Sequence, residues 1–123
     1  MLLESSTRFL QSRGRGAQWS ELAELGWIAA ALREDDGGLG GRAVDVIPIC
    51  EAIGATGTAV PYFSSVLLPA GVLAQSPPFE GRQELLQRFL DGESKLAVAH
   101  SERSLSFACE EPATAARRAP GIK

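Results

Sequence analysis

The 123-residue chain carries one histidine, one methionine, one tyrosine and two cysteines. Each scarcity removes a class of chemistry. His100 is the sole imidazole, and Cys50 and Cys109 lie far apart without C-x-x-C spacing. No set of metal ligands can be assembled from them, so no metal site is expected. Two isolated cysteines fit buried or incidental thiols in a reducing compartment, and a cytoplasmic location is expected. No apolar run approaches the roughly 20 residues that a membrane span requires. The N-terminal MLLESS has no basic segment followed by an apolar one, so a secretory signal is not expected. A net charge of −3 gives no electrostatic footprint for nucleic acid. The small basic groups at Arg8, Arg13 and Arg15, and at Arg117 and Arg118, read as solvated surface. There are no internal repeats and no low-complexity segment.

What is present is ordinary for a globular chain, with 45% hydrophobic and 22% charged residues. The length allows one domain with a modest core. Helical periodicity dominates. Leu2, Leu3, Ser6, Phe9 and Leu10 predict an amphipathic first helix, ended by Gly14 and Gly16. A second helix is predicted over residues 18–25, with Trp19, Leu22, Ala23 and Leu25 on its apolar side and Gly26 as its C-terminal cap. Ala43, Val46, Ile47, Cys50, Ile53 and Gly54 make one face of a third helix. Pro48 fits its first turn if Asp45 is the N-cap; an earlier start predicts a kink there. Residues 54–61 read as a loop. Phe63, Val66, Leu67, Ala70, Leu73 and Ala74 form the face of a fourth helix, with a kink expected near Pro69. Phe79, Leu85, Leu86, Phe89 and Leu90 form a fifth, stopped by Asp91 and Gly92.

Between the second and third helices lies the sequence EDDGGLGG, residues 34–41. Gly38, Gly40 and Ala43 fit a G-x-G-x-x-A dinucleotide fingerprint, with residues 27–32 as the preceding strand. The physics opposes that reading. Glu34, Asp35 and Asp36 stand where a pyrophosphate would sit, and residues 58–68 hold no carboxylate for a ribose. A helix–helix connection, with glycines at positive φ or at close backbone approaches, is the better account. The three carboxylates lack the spacing of a calcium loop and read as solvated.

Residues 95–101, KLAVAHS, change character and read as a short strand beside a turn. Only weak strand signals follow, at residues 105–108 and 114–117. The expected fold is therefore mainly α: a bundle of about five helices over residues 1–93, then one or a few β-strands over 94–123 that begin an incomplete β domain. Such an order looks like the front of a larger protein, or a chain whose partner strands come from another subunit. Little catalytic chemistry is visible. His100 and Ser101 are adjacent on the expected strand and point to opposite faces, and G-x-S-x-G is absent.

Taken in order, several segments resemble the N-terminal region of the acyl-CoA dehydrogenase family. WSELAELGW at 19–27 is similar to that family's second helix. EDDGGLGG at 34–41 is similar to its acidic, glycine-rich loop. AVD at 43–45 and CEAIG at 50–54 are similar to the helix that follows. LDGESKLAVAHSE at 90–102 is similar to the passage into the central β domain, which typically ends Ala-x-Thr-Glu-Pro. The resemblance implies FAD-dependent α,β-dehydrogenation of an acyl-CoA thioester, in a homo-oligomer or a hetero-oligomer of related subunits. It implies that Ser101, with the backbone at Val98 and Ala99, faces the flavin. A hydroxyl and backbone amides suit that place, because reduction puts negative charge on the ring. It implies that Tyr62, Phe63, Val66 and Ala70 line the acyl pocket; plain packing core is the competing reading of those four.

Two departures stand out. Arg103 occupies the position of the usual proline, and residues 104–108 do not continue as Gly-Ser-Asp. They suggest a divergent branch, similar to heteromeric members that handle steroid or other bulky thioesters in lipid or steroid catabolism. The family's glutamate base belongs to its C-terminal domain, so no catalytic residue is assigned here. The expected role is a portion that does not catalyse alone and does not bind FAD by itself. The alternative is a non-enzymatic helical interaction module or a degenerate subunit of a heteromeric complex.

Overall fold

The computed structural model describes residues 2–13, 19–100 and 114–115. Five α-helices are present among the described residues: α1 (Leu2–Arg13), α2 (Trp19–Glu24), α3 (Ala43–Thr56), α4 (Leu68–Gln75) and α5 (Arg82–Leu90). Two single 3-10 turns, Ala29–Ala31 and Glu34–Asp36, lie between α2 and α3, and a π-helical turn, Phe63–Leu67, leads directly into α4. The mainly helical architecture is the one the periodicity predicts.

The elements share one core. Leu10 of α1, Leu22 of α2 and Ile49 of α3 meet Ile28 and Leu32 from the connection, Val66 from the π-turn and Phe89 of α5, all of them essentially inaccessible to water. Side chains of this size contribute about 1.5–3 kcal/mol each when fully buried, before the conformational entropy that opposes folding. α1 lies along α3. Phe9 meets Trp27 edge to face at 6.0 Å, and Arg13 pairs with Glu21 at 3.0 Å.

α2 ends where its glycine was expected. Gly26 takes φ +71°, so that its N–H reaches the Ala23 carbonyl and the Trp27 N–H reaches the Leu22 carbonyl, each at 2.9 Å. This double closure needs a left-handed residue, which glycine adopts without a Cβ penalty. It also turns Leu25 outward; that residue is exposed rather than part of the apolar side.

α3 departs further from expectation. It starts at Ala43, so Asp45 is not its N-cap; Asp45 instead accepts from the Arg42 guanidinium at 3.1 Å. Pro48 therefore sits inside the helix, where its missing N–H leaves the Val44 carbonyl without its usual partner. The helix also runs through Gly54 to Thr56 before Gly57 closes it, so the loop is shorter than 54–61. Its buried side is Ile49 and Ala52, flanked by Val46 and Ile53, while Val44, Ile47 and Cys50 face outward. The segment is apolar nearly all round, so periodicity alone could not choose the face.

α5 begins at Arg82, and Phe79 lies exposed before it. Residues 94–100 are irregular, and no strand occurs among the described residues. A strand needs a neighbour to satisfy its backbone, and no ladder forms at 95–100. Thr114 and Ala115 are likewise irregular and exposed. The remaining positions of the expected β segment, including Ser101 and residues 105–108, lie outside the described residues.

Candidate functional site

The glycine-rich connection is built by close backbone contact. Residues 27–32 form a turn and a 3-10 turn, not a strand, which removes the fingerprint's scaffold. A Cβ added at Gly38 would overlap the Leu32 carbonyl oxygen and Cβ, so only glycine fits. The Gly40 N–H donates to that same Leu32 carbonyl at 3.0 Å, and the Leu39 N–H to Ala29 at 2.8 Å. The loop's amides are thus turned to its own backbone.

The acidic lead-in divides. Glu34 and Asp35 are exposed, with Asp35 paired to Arg33 at 3.0 Å. Asp36 is not solvated as expected. Its carboxylate is buried and accepts from Arg82 Nη1 at 2.5 Å, while Arg82 Nη2 donates to the Leu73 carbonyl at 3.2 Å. One guanidinium therefore joins the connection, the end of α4 and the start of α5. The Arg82 hydrogen bond holds the Asp36 carboxyl below the usual carboxylate range, against the opposing effect of burial.

The helix that carries the proposed acyl-pocket residues splits into two faces. Tyr62, Val66 and Ala70 point into the core; none has a free face for a ligand. The Tyr62 hydroxyl donates to the Trp27 carbonyl at 2.7 Å, and burial pushes its pKa well up, with Cys50 a secondary cause. Phe63 points the other way and is 69% exposed. With Leu67, Leu68, Gly71 and Val72 it lines an open, almost wholly apolar groove of about 600 Å³, ended by Gln75 and Ser76. Val72 is 48% exposed there. Of the four residues, Phe63 alone lies on this surface, whereas Gly71 and Val72 were not singled out from the sequence. Gly71 carried a usable signal: a glycine inside a helix costs about 1 kcal/mol against alanine, and open space surrounds its missing Cβ.

The preceding π-turn explains how Pro69 is tolerated. The Leu68 N–H bonds to the Phe63 carbonyl, an i→i+5 closure. Pro69 then falls in the first turn of α4, where no donor is needed. A wide turn takes the place of the simple kink expected at Pro69.

The other sequence candidates are dispersed. Val98 is half-buried and Ala99 exposed on the irregular 94–100 stretch, and Ser101 lies outside the described residues. His100 is exposed. Cys50 is free and exposed, with a thiol pushed up by partial desolvation, the opposite of an activated nucleophile. No cluster of metal-ligating side chains occurs among the described residues.

A family model described as acyl-CoA dehydrogenase, N-terminal domain, matches residues 6–93. The chain belongs to this family. No curated protein and no solved structure matches it. Within this acyl-CoA dehydrogenase N-terminal domain, the matched residues run from α1 to the turn after α5 and include both the glycine-rich connection and the groove. No described helix of the domain is long and apolar enough to cross a membrane.

Proposed function

We propose that this domain is the N-terminal helical portion of an FAD-dependent acyl-CoA dehydrogenase-like flavoprotein, which carries out α,β-dehydrogenation of an acyl-CoA thioester. The groove at Phe63 carries the reading. It is apolar, open and uncharged, as one wall of an acyl site has to be, and it lies on the helix to which the family resemblance assigns that role. Phe63, Leu67, Gly71 and Val72 would contact the acyl chain; Tyr62, Val66 and Ala70 hold the wall in place from behind.

Residues 94–123 are proposed as the beginning of the β domain, with Val98, Ala99 and Ser101 toward the flavin. The fit is partial. Val98 and Ala99 offer backbone N–H groups on an irregular stretch, not an enclosed site. The flavin would accept the hydride, and this chain's part is to place backbone donors and an apolar wall. No carboxylate lines the groove, so the base that removes the α proton has to come from elsewhere. On this reading the domain does not catalyse alone, and it works within a homo- or hetero-oligomer of related, cytoplasmic subunits.

Co-expression with a longer subunit of the same family tests this. The expected complex carries flavin absorbance and bleaches on adding an acyl-CoA thioester. A stable, flavin-free complex would instead support the second reading, a non-enzymatic interaction module or degenerate subunit. Arg103 in place of the family's proline favours that alternative.

A further inference from the structure

The chain leaves the helical domain under an unusual balance of forces. Trp19 of α2 rests on Phe89 of α5, with ring centroids 6.2 Å apart. Its indole N–H donates to the Ser94 carbonyl at 3.2 Å. The Lys95 ammonium lies 5.5 Å from the centre of the same ring, and Leu96 packs partly buried against the core. Gly92 lets the backbone come against Ser20 and Ala23, which brings residues 94–96 to α2.

Against these contacts stands the Ser94 hydroxyl. Its oxygen is buried and has no hydrogen-bond partner among the described residues. Such a group gives up its hydration and gains nothing in return. The indole hydrogen bond is at the long end of the normal range. The Ser94 N–H also donates to the Arg88 carbonyl at 3.2 Å, beside the Glu93 N–H at 3.0 Å. The docked position is thus held by two long hydrogen bonds from or to Ser94 and by contacts at Lys95 and Leu96, and opposed by one specific group, which places it toward the low-stability end of the structure.

We propose that residues 94–96 form a releasable latch, closed by Trp19 and kept shallow by the buried Ser94 hydroxyl. Closed, it holds the chain that leads to Val98 and Ala99 against the helical domain. Open, it lets that stretch move and frees one face of the Trp19 indole. The consequence for flavin contact rests on the reading of Val98 and Ala99 above; the latch itself does not.

Trypsin cleavage of the 123-residue chain at the Lys95–Leu96 bond, followed by mass spectrometry, reads the open population. Ser94→Ala removes the group that opposes docking and should slow this cleavage about tenfold. Trp19→Phe keeps the ring but loses the donor and should speed it about fivefold. The Arg88–Phe89 bond inside α5 reports wider unfolding and should hold its rate within about twofold in Ser94→Ala. Trp19→Phe also changes the packing on Phe89, so its Lys95 rate is read as a ratio to its Arg88 rate. A Ser94→Ala rate unchanged or raised at Lys95, or slowed by the same factor at Arg88, overturns the latch. Because the assay contains no flavin, a failed flavin titration counts against the role of Val98 and Ala99 alone.

Discussion

The hydroxyl of Tyr62 donates a 2.7 Å hydrogen bond to the carbonyl oxygen of Trp27, a residue 35 positions earlier, inside the core. This one bond ties the start of the π-turn to the residue that closes α2. It fixes the helix behind the groove to the glycine-rich connection.

Tyr62→Phe should therefore destabilise the domain by about 1–3 kcal/mol, since a buried carbonyl loses its donor. The pH dependence gives an independent check. The folded pKa of Tyr62 is raised, so its contribution is fully present below the unfolded value near 10 and is lost as pH rises beyond it. Chemical denaturation at increasing alkaline pH should show wild type losing stability more steeply than Tyr62→Phe. Parallel curves would contradict this assignment.

Asp36 makes the opposite prediction. Its pKa is depressed by Arg82, so the pair's stabilisation is present above the unfolded carboxyl value near 4 and is lost as pH falls through the folded value. Asp36→Asn should lower the thermal midpoint at neutral pH and flatten the acid-side loss of stability. Arg82→Leu should lower the midpoint more than Asp36→Asn, because it leaves a buried carboxylate without its partner. Differential scanning calorimetry from pH 3 to 7 measures both.

Two glycine substitutions should act in opposite directions. Gly38→Ala drives a methyl into the Leu32 backbone and should cost roughly 2–4 kcal/mol. Gly71→Ala places its methyl in open space on a helical backbone and should stabilise by about 0.5–1 kcal/mol. Urea midpoints of the two variants decide the matter. Loss of stability in Gly71→Ala would mean that the helix, not an external group, requires the glycine.

Phe63→Glu separates folding from function. The side chain is exposed, so the change should leave stability within about 0.5 kcal/mol. A charge in the groove should nonetheless abolish acyl-CoA-dependent flavin bleaching in the co-expressed complex. Full activity in that variant would remove the groove from the acyl site.

The helices were readable because amphipathic periodicity survives in most of them, and Gly26 marked the end of α2 by conformational need alone. The face of α3 was not readable. Val44 and Ile47 are as apolar as Ile49 and Ala52, and the arrival of α1 and of the 3-10 turn Ala29–Ala31 decides which pair is covered. Asp36 and Arg82 stand 46 positions apart, beyond any local pattern. The groove was partly hidden for a related reason. Its residues have the composition of a core, and Phe63 differs from Val66 only in the direction its turn gives it.

The π-turn before Pro69 adds one residue to what would otherwise be a regular helical turn, and a single residue corresponds to about 100° of rotation. The helix is thus divided into two angular registers. Deleting one residue within 63–67 would restore α-helical phase, rotate Phe63 relative to Gly71 and Val72, and break the continuity of the groove while leaving α4 itself intact. The shape of this surface is therefore set by chain length at one turn as much as by side-chain identity, and insertions or deletions there would remodel it more than most substitutions.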